Sequence, residues 1–425
     1  MSFESALTGL KAASASLDVT GNNIANGQTH GFKQSRAEFA DIFATSHLGV
    51  AQNAIGHGVR LTNVKQLFEQ GQPEFTGKTL DMMVNGTGFF RMDNNGSISY
   101  TRAGNFDPDP DGYIVNPDGH RLTGYQMSPD GNVTNALGPM RINTGDIAPN
   151  ATQNFRVSAN MHAFAETLPA GAFDADDPNT YSYATTGSVF DSLGREHMID
   201  FYFVKTDDPD ENTWEVHTRL GGQEPDNSDP IHVQFDNNGM MVGISPAGVM
   251  PPDFTNADLQ NVTFSTGPGS PLAGAADLDI TGLDLRNMTQ YGSSFSVSEL
   301  AQDGFAAGQF TTVTVESDGT IFARYSNGQT DPLGQVALAK FPSPHNLQPH
   351  GNNAWLETFD SGQPILGAPE SGDFGGLQAG ALEQSNVNIS EQLVKMITAQ
   401  RSYQANAKMI STQDAITQEL MNATR

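Results

Sequence analysis

Residues 389–410 read ISEQLVKMITAQRSYQANAKMI. Apolar side chains recur at helical spacing, with Gln400 as a polar interruption, at Ile389, Leu393, Met396, Tyr403, Ala407 and Ile410. This spacing predicts an amphipathic helix. Asn388 stands at the N-cap position, and Glu391 three residues later completes a capping box. No proline or glycine follows Ala381, so about 35 helical residues are predicted, a rod of roughly 50 Å.

The N-terminal residues predict a second helix. Its apolar positions are Phe3, Leu7, Leu10 and Leu17, with Ser14 at the missing heptad position, and Ile24 is assigned to the same segment. Thr20-Gly21-Asn22-Asn23 is predicted to end the helix, because Gly and Asn tolerate the left-handed backbone of a helix C terminus. We expect residues 1–25 and 385–425 to pair as a coiled coil. Residues 26–70 with 371–384 are expected to form an extended connecting segment.

Between the two ends, Asx-Gly pairs separate short apolar stretches. Such pairs are the strongest short hairpin signal, since a tight turn needs positive φ at both central residues. They predict an all-β middle, and they stand at Asn95-Gly96, Asp111-Gly112, Asp118-Gly119, Asp130-Gly131, Asn238-Gly239, Asp303-Gly304, Asp318-Gly319 and Asn327-Gly328.

The net charge of −27 lies between neutral ends. Residues 146–290 hold 22 acidic and 5 basic side chains, and the stretches on either side resemble each other in hairpin spacing. We therefore expect 146–290 to be an acidic outer domain inserted into an inner β domain formed by 71–145 and 291–370. The predicted fold class is mainly β with paired terminal α-helices and nested β domains of sandwich or barrel-like form.

Composition excludes several classes of function. A length of 425 residues suggests about two to four domains. A polyanion repels phosphate, so neither nucleic acid nor an anionic membrane is an expected partner. There is no cysteine, which excludes disulfides, thiolate metal sites and cysteine nucleophiles. The start, Met1-Ser2-Phe3-Glu4, predicts no Sec-type signal peptide.

Two amphipathic terminal helices need apolar partners. Polar residues at positions 14 (Ser14) and 400 (Gln400) weaken an exclusive pairing of the two helices and favour contact with several neighbouring helices. Isolated helices are marginal in water. We infer that the ends become ordered when copies associate. The alternative is a terminal helix pair that docks on its own β domain.

The ends resemble those of bacterial flagellar rod and hook proteins. The N-terminal motif runs from Asp18 to Asn26 and continues with Thr29-His30-Gly31-Phe32-Lys33, and the C-terminal motif covers 380–387, 396–406 and 412–414. The signature residues are Asn22, Asn23, Ala25, Asn26, Gly31, Phe32, Lys33, Gln400, Arg401, Gln404 and Asn406. Segments 85–90, 104–106 and 119–125 look like the first β domain of hook proteins. The resemblance is strong over about 1–145 and 291–425 and weak in 146–290. Rod proteins are similar at both ends but much shorter, and junction proteins differ between their helices.

The resemblance implies a structural, self-assembling subunit rather than an enzyme, with no cofactor. It implies a flexible tube that passes torque from rod to filament, with terminal helices around an export channel and β domains outside. The implied partners are other copies, a rod protein at the proximal end, a hook–filament junction protein at the distal end, a hook cap protein and the flagellar type III export apparatus. The implied location is the extracellular part of the flagellum. A distal rod-type axial protein is the alternative within the family.

One motif favours a different class, an extracellular calcium- or glycan-binding β protein. Asp107, Asp109, Asp111 and Gly112 match the opening of a D-x-D-x-D-G calcium loop, with Asp118 at position 12. Two prolines stiffen the loop, no flanking helices are predicted, and position 12 is Asp rather than Glu, so an acidic hairpin turn is the favoured interpretation. No H-E-x-x-H, P-loop or G-x-S-x-G occurs, so no catalytic site or metal site is predicted.

Overall fold

The computed structural model describes residues 3–42, 56–128, 131–169, 171, 173–206, 212–247, 254, 259–267 and 269–423. Asp130 of the predicted turn at 130–131 lies outside these residues. Two α-helices stand at the ends, α1 (Phe3–Ala25) and α2 (Ile389–Ala423), and one 3-10 turn spans Pro344–Asn346. None of the helices in the described ranges has the length and hydropathy of a membrane span.

Strands fill the sequence between the helices. The first ten are β1 (Ser35–Asp41), β2 (Val59–Gln66), β3 (Pro73–Phe75), β4 (Met82–Asn85), β5 (Phe89–Asn94), β6 (Ser97–Thr101), β7 (Asp107–Pro108), β8 (Ile114–Val115), β9 (Arg121–Met127) and β10 (Val133–Pro139). The next ten are β11 (Asn154–His162), β12 (Tyr183–Phe190), β13 (Glu196–Lys205), β14 (Thr213–Leu220), β15 (Ile231–Phe235), β16 (Met241–Ser245), β17 (Gln260–Phe264), β18 (Leu278–Asp284), β19 (Thr289–Tyr291) and β20 (Ser296–Gln302). The remaining strands are β21 (Phe310–Val315), β22 (Thr320–Tyr325), β23 (Thr330–Val336), β24 (Leu338–Lys340), β25 (Gln348–Gly351), β26 (Ala354–Leu356), β27 (Ile365–Gly367), β28 (Gly376–Ala379) and β29 (Ala381–Glu383). The predicted fold class is confirmed.

The predicted start of α2 is confirmed, and the predicted end of α1 is wrong. Asn388 Oδ1 accepts the backbone N–H of Glu391 at 3.2 Å, as an N-cap should. In α1 the helix continues through Gly21 and Asn22 to Ala25, and the first glycine with positive φ is Gly31, at +70°. Gly and Asn allow a helix to end but do not require it, and here tertiary hydrogen bonds of Asn23 fix the helical conformation.

The chain divides into two compact units, of which the first contains both helices. It comprises Met1–Thr144, Thr311–Arg324 and Thr330–Arg425. Its main sheet follows the order β21-β22-β23-β9-β5-β6-β26-β25, with five further short strands at its sides. An aromatic core holds Phe89, Tyr100, Phe341 and Trp355, packed edge to face. The Asn95-Gly96 hairpin joins β5 and β6 with φ of 51° and 94°, as its sequence predicts.

The segment at 26–70, expected to be an extended connection, contains two extended strands that pair with each other. Strands β1 and β2 form an antiparallel two-stranded sheet with a register shift at Glu38/Phe39, and this hairpin packs against α1. The alternation in these strands is weak because both faces are partly exposed, so the sequence lacks the clean period of a half-buried strand. The C-terminal part of the predicted connection also pairs, β28 with β4 and β29 with β3.

The second unit comprises Gly145–Phe310 and Tyr325–Gln329. One sheet is an antiparallel meander, β12-β13-β14-β15-β16, and the other is mixed, because β11 pairs parallel with β18 and β19 but antiparallel with β20. A single apolar core, with Trp214 fully buried, draws on both sheets. The unit ends about 20 residues beyond the predicted boundary at 290, since β20 belongs to its sheet.

Asp303-Gly304 is not a hairpin turn, contrary to the sequence prediction. The Asp303 carboxylate instead accepts the backbone N–H groups of Gln153 and Asn154, both at 2.9 Å. An Asp carboxylate accepts hydrogen bonds from backbone N–H groups that are either close or distant in sequence. An Asp-Gly dipeptide alone therefore does not distinguish a hairpin turn from a long-range contact.

Candidate assembly site and the junction of the termini

The two terminal helices pack against each other through small and polar side chains. On α1 the buried residues Ala6, Ala13 and Thr20 lie seven positions apart. On α2 the buried residues are Gln392 and Ala399, again seven apart. A Cβ at Gly9 would lie 2.9 Å from Asn406 Oδ1, so the helices approach closely there. Heptad spacing of small residues therefore forms the seam of the pair.

The apolar residues predicted for the helices do not form this seam. Four of them are exposed, Phe3, Ile389, Leu393 and Tyr403, and the others are only half-buried, Leu7, Leu10, Leu17, Ile24, Met396, Ala407 and Ile410. The sequence pattern identified the apolar residues correctly, but the small residues beside them allow a closer approach and occupy the contact. The assembly role of the apolar residues stays a prediction.

Further large apolar side chains on α2 are exposed. Val394 is 64% exposed and Ile397 50%, and near the C terminus Ile416, Leu420 and Met421 are also exposed. Exposed apolar surface of this extent on one element is typical of an interaction surface. The helix pair therefore leaves most of its large apolar side chains without cover in the single chain.

Asn23 of the N-terminal signature joins α1 to both the β1–β2 hairpin and α2. Its Oδ1 accepts the N–H of Ser35 at 2.8 Å, and its Nδ2 donates to Ser35 O at 2.7 Å and to Gln392 Oε1 at 3.3 Å. Gln392 Nε2 donates in turn to Gln34 Oε1 at 3.2 Å. Asn386 Oδ1 accepts the backbone N–H of Gln34 at 2.7 Å. Each signature motif thus bonds to a residue that lies beside the other motif.

A buried cluster of charges lies at the same junction. The side chains of Lys33 and Glu383 are both fully buried, and Lys33 Nζ donates to Glu383 Oε1 at 2.6 Å. Arg102 Nη1 lies 3.3 Å from Glu383 Oε2, and the N–H of Gly71 donates to Oε1 at 2.8 Å. Burial lowers the pKa of Lys33, and Glu383 opposes that effect. Two cations therefore share one carboxylate, with backbone carbonyls of Glu69 and Gly86 as further acceptors.

Gly31 must be a glycine at this junction. Its φ is +70°, and a Cβ would lie 2.5 Å from the backbone nitrogen of Ala103. Its N–H donates to the carbonyl of Glu383 at 2.8 Å, so the turn after α1 pairs with the strand that carries the buried carboxylate.

The other signature residues divide into local and exposed positions. Asn26 bonds back to the carbonyl of Asn22 within the last helical turn, and Phe32 is half-buried. Ala25, Gln400, Arg401 and Gln404 are exposed on the helices, whereas Asn406 faces Gly9. Glu383 lies within the C-terminal motif, but the sequence pattern did not predict its role or those of Arg102, Gln392 and Asn386. A buried salt bridge between residues 350 positions apart has no signal in one sequence.

The Asp-rich loop at 107–112 acts as a turn in the structure. Asp109 Oδ1 accepts the N–H groups of Asp111 and Tyr113, Asp107 pairs with Lys78, and Asp118 accepts a hydrogen bond from Asn352. In the described part of the chain, no group of three or more His, Cys, Asp or Glu residues is arranged to hold a metal ion. The carboxylates of Asp107, Asp109 and Asp118 instead contact protein donors.

A helical pair made from the two termini, with β units between them, defines a class of axial flagellar proteins, and four family models match. They are the flagella basal body rod protein (residues 3–33), the flagellar hook protein FlgE/F/G D1 domain (83–160), the flagellar basal body protein FlaE D2 domain (156–305) and the flagellar basal body rod FlgEFG protein C-terminal model (378–423). The match at 156–305 extends the similarity into the middle of the chain, where the sequence motifs show it only weakly.

Whole-chain comparisons agree with these matches. The flagellar hook protein FlgE of Salmonella typhimurium is 36% identical over 426 residues, which cover 99% of this chain and 100% of the relative. That of Escherichia coli is 36% identical over 437 residues, with the same coverage. The crystal structure of Helicobacter pylori flagellar hook protein FlgE2 shares the fold, with a TM-score of 0.52, 16% identity, and coverage of 73% of this chain and 100% of that one. The chain belongs to the flagellar hook protein family, whose members are structural subunits of the bacterial flagellum.

Proposed function

We propose that this chain polymerises through its terminal helices into the tube of the flagellar hook. The observation that carries the proposal is the packing of the helix pair, which buries small side chains and exposes large apolar ones. Small residues fill the contact between α1 and α2, while Val394, Ile397 and Leu420 remain exposed. Such side chains lose contact with water only when other copies cover them.

In this proposal the helices form the inner layer of the tube. The β strands of the first unit surround them, and the acidic segment 146–290, which belongs to the second unit, faces solvent. Neutral ends can crowd near an axis without repulsion, whereas the acidic segment is best placed in solvent. The tube transmits torque while it bends, and the chain performs no catalysis.

The further partners follow from the same proposal. A rod protein meets the tube at its proximal end, a junction protein meets it at its distal end, and a cap protein guides addition of subunits. The flagellar type III apparatus exports the unfolded chain. Exposed Gln400, Arg401 and Gln404 on α2 provide polar groups that can recognise neighbouring helices.

Substitution of the exposed apolar residues tests the proposal. Ile397→Ser with Leu420→Ser should leave the monomer folded, as judged by far-ultraviolet circular dichroism, but prevent tubes in electron micrographs. The matched control is Thr417→Ser, since Thr417 is exposed on the same helix and its hydroxyl bonds only to the Gln413 carbonyl. Deletion of the last 40 residues should also abolish polymerisation. If the double variant or the truncated chain formed tubes as wild type does, the proposal would be wrong.

A further inference from the structure

Phe359 is displayed on the surface of the first unit. Its relative exposure is 101%, the highest among the exposed large apolar residues in the described ranges. An exposed aromatic ring on a disordered loop would be unremarkable, because such a ring can fold back onto nearby apolar surface. The question is whether the turn that carries Phe359 holds it away from the rest of the chain.

The turn is fixed on both sides of the ring by hydrogen bonds. Ser361 is fully buried; its Oγ donates to Thr358 O at 2.8 Å and accepts the Thr358 N–H at 2.9 Å. Thr358 Oγ1 donates to Asn346 O at 2.7 Å, and Asn346 Nδ2 donates to Asp360 O at 3.2 Å. The ring is therefore presented by a pre-organised turn, which lowers the entropy lost when the ring binds.

A largely apolar groove, of the kind that accepts an aromatic ring, lies elsewhere on the same unit. It has a volume of about 550 Å³ and runs between α1, the β1–β2 hairpin and α2. Its walls are mostly small or apolar, among them Ala12, Ala37, Phe39, Val394 and Thr398.

The charges at the groove and at the turn are complementary. The charged residues that line the groove are two cations, Arg36 and Lys395. Arg36 pairs with Glu38 at 3.0 Å and Lys395 with Glu391 at 2.6 Å, and neither carboxylate belongs to the lining. Both ion pairs are solvent-exposed and therefore weak. Asp360 follows Phe359 directly in sequence, and its backbone carbonyl accepts the hydrogen bond from Asn346 that fixes the turn. An apolar ring next to a carboxylate matches an apolar groove lined by two cations.

We propose that the Phe359 turn of one copy inserts into the groove of a second copy, with Asp360 facing Arg36 and Lys395. The contact uses two different surfaces of the same chain. Such a heterologous contact, when rotation does not close a ring, generates an open helical polymer. The proposal rests on the proposed self-assembly and names one of its contacts.

Cross-linking of assembled tubes tests this contact, and the absence of native cysteine makes the test clean. Asp360→Cys combined with Thr398→Cys keeps the Phe359 ring and should give a ladder of covalent oligomers after treatment with a short bismaleimide. The matched control combines Asp360→Cys with Asn95→Cys, which lies at an exposed hairpin tip outside the groove. Tubes of the groove pair that gave no ladder, or no more than the control pair, would refute the contact.

A second measurement does not depend on cysteine variants. Phe359→Ser should raise the protein concentration needed for tubes by about tenfold or more, the loss typical of a central aromatic anchor, whereas Phe359→Tyr should stay within about twofold. Asp360→Lys and Lys395→Glu should each raise it, and together they should restore it. Phe359→Ser that assembles at the wild-type concentration would overturn this contact alone. Wild-type protein that forms no tubes would contradict the proposed function itself.

Discussion

Replacing Glu383 by Gln should destabilise the first unit far more than replacing Lys33 by Met. The reason lies in the charge count of the buried junction. Lys33 and Arg102 both contact the Glu383 carboxylate, and all three side chains are at most 5% exposed. Loss of Glu383 leaves two buried cations without a counter-charge, while loss of Lys33 leaves a balanced pair of Glu383 and Arg102.

The magnitude follows from the cost of an uncompensated buried charge. Removing one partner of a buried ion pair typically costs about 3 to 5 kcal/mol. Replacing Lys33 leaves the remaining two charges paired. It should therefore cost only about 1 to 2 kcal/mol, mainly from the lost hydrogen bonds of Lys33 Nζ. We therefore expect the two variants to differ by about 1 to 4 kcal/mol in the free energy of unfolding.

Urea unfolding can measure this difference in the first unit by itself. The chain has two tryptophans, Trp214 in the second unit and Trp355 in the core of the first. In a Trp214→Phe background, fluorescence reports only Trp355, whose Nε1 donates to Gln66 Oε1 at 2.6 Å. With a slope near 3 kcal/mol/M, Glu383→Gln should lower the urea midpoint by about 1 to 1.7 M and Lys33→Met by about 0.3 to 0.7 M.

Equal midpoint shifts for the two variants would refute the charge-count argument. So would a Glu383→Gln protein as stable as wild type, because the carboxylate would then contribute nothing that a neutral amide cannot. Lys33→Arg is the control that keeps the positive charge. Its guanidinium cannot reproduce the single short contact of an ammonium, so it separates the effect of charge from that of contact geometry.

Three further predictions address the helices and the second unit. Gly21→Ala should stabilise α1 by up to about 1 kcal/mol, because Gly21 is helical with nothing within 4 Å of an added Cβ; a loss of far-ultraviolet helix signal would show instead that the helix ends there. The Arg286 guanidinium hydrogen-bonded to Asp284 lowers the pKa of that carboxyl to about 2, so about 2 kcal/mol of stability should be present above pH 3.8 and be lost as the pH falls towards 2. Trp214 fluorescence in a Trp355→Phe background measures it, and Asp284→Asn should remove that part of the pH dependence. Assembled protein should show more helix than monomer by circular dichroism, and equal signals would count against folding coupled to assembly.

Local sequence signals predicted the local structure well. The N-cap at Asn388, the length of α2 and the hairpin at Asn95-Gly96 depend on neighbouring residues only, so a single sequence contains the information. The apolar spacing at the two ends and the Asx-Gly pairs between them predicted the fold class and the pairing of the termini. Apolar spacing also found the helices, although it did not find which face of each helix is buried.

What the sequence could not predict depends on distant contacts. Ala13 and Ala399 form the helix seam because their small size lets the backbones approach, and small size alone does not distinguish a seam from a solvent face. The β1–β2 hairpin lacks a clean alternation because neither face is fully buried. The Lys33–Glu383 pair joins residues 350 positions apart, so only the folded chain reveals it.

The buried junction restricts the geometry of the helix pair as well as contributing to stability. Buried ion pairs are rarely more stabilising than a well-packed apolar cluster of the same volume, but their geometry admits few alternatives, because every misplaced charge is left unpaired. Here the Lys33–Glu383 pair and the amides of Asn23 and Gln392 fix the position of α2 against α1 and against the turn after α1. We infer that this fixed connection allows the exposed apolar faces of the helices to rearrange among neighbouring copies while each subunit keeps its own helix pair. A bending polymer needs both properties, since contacts between copies must change as it bends and the link within each copy must carry the load.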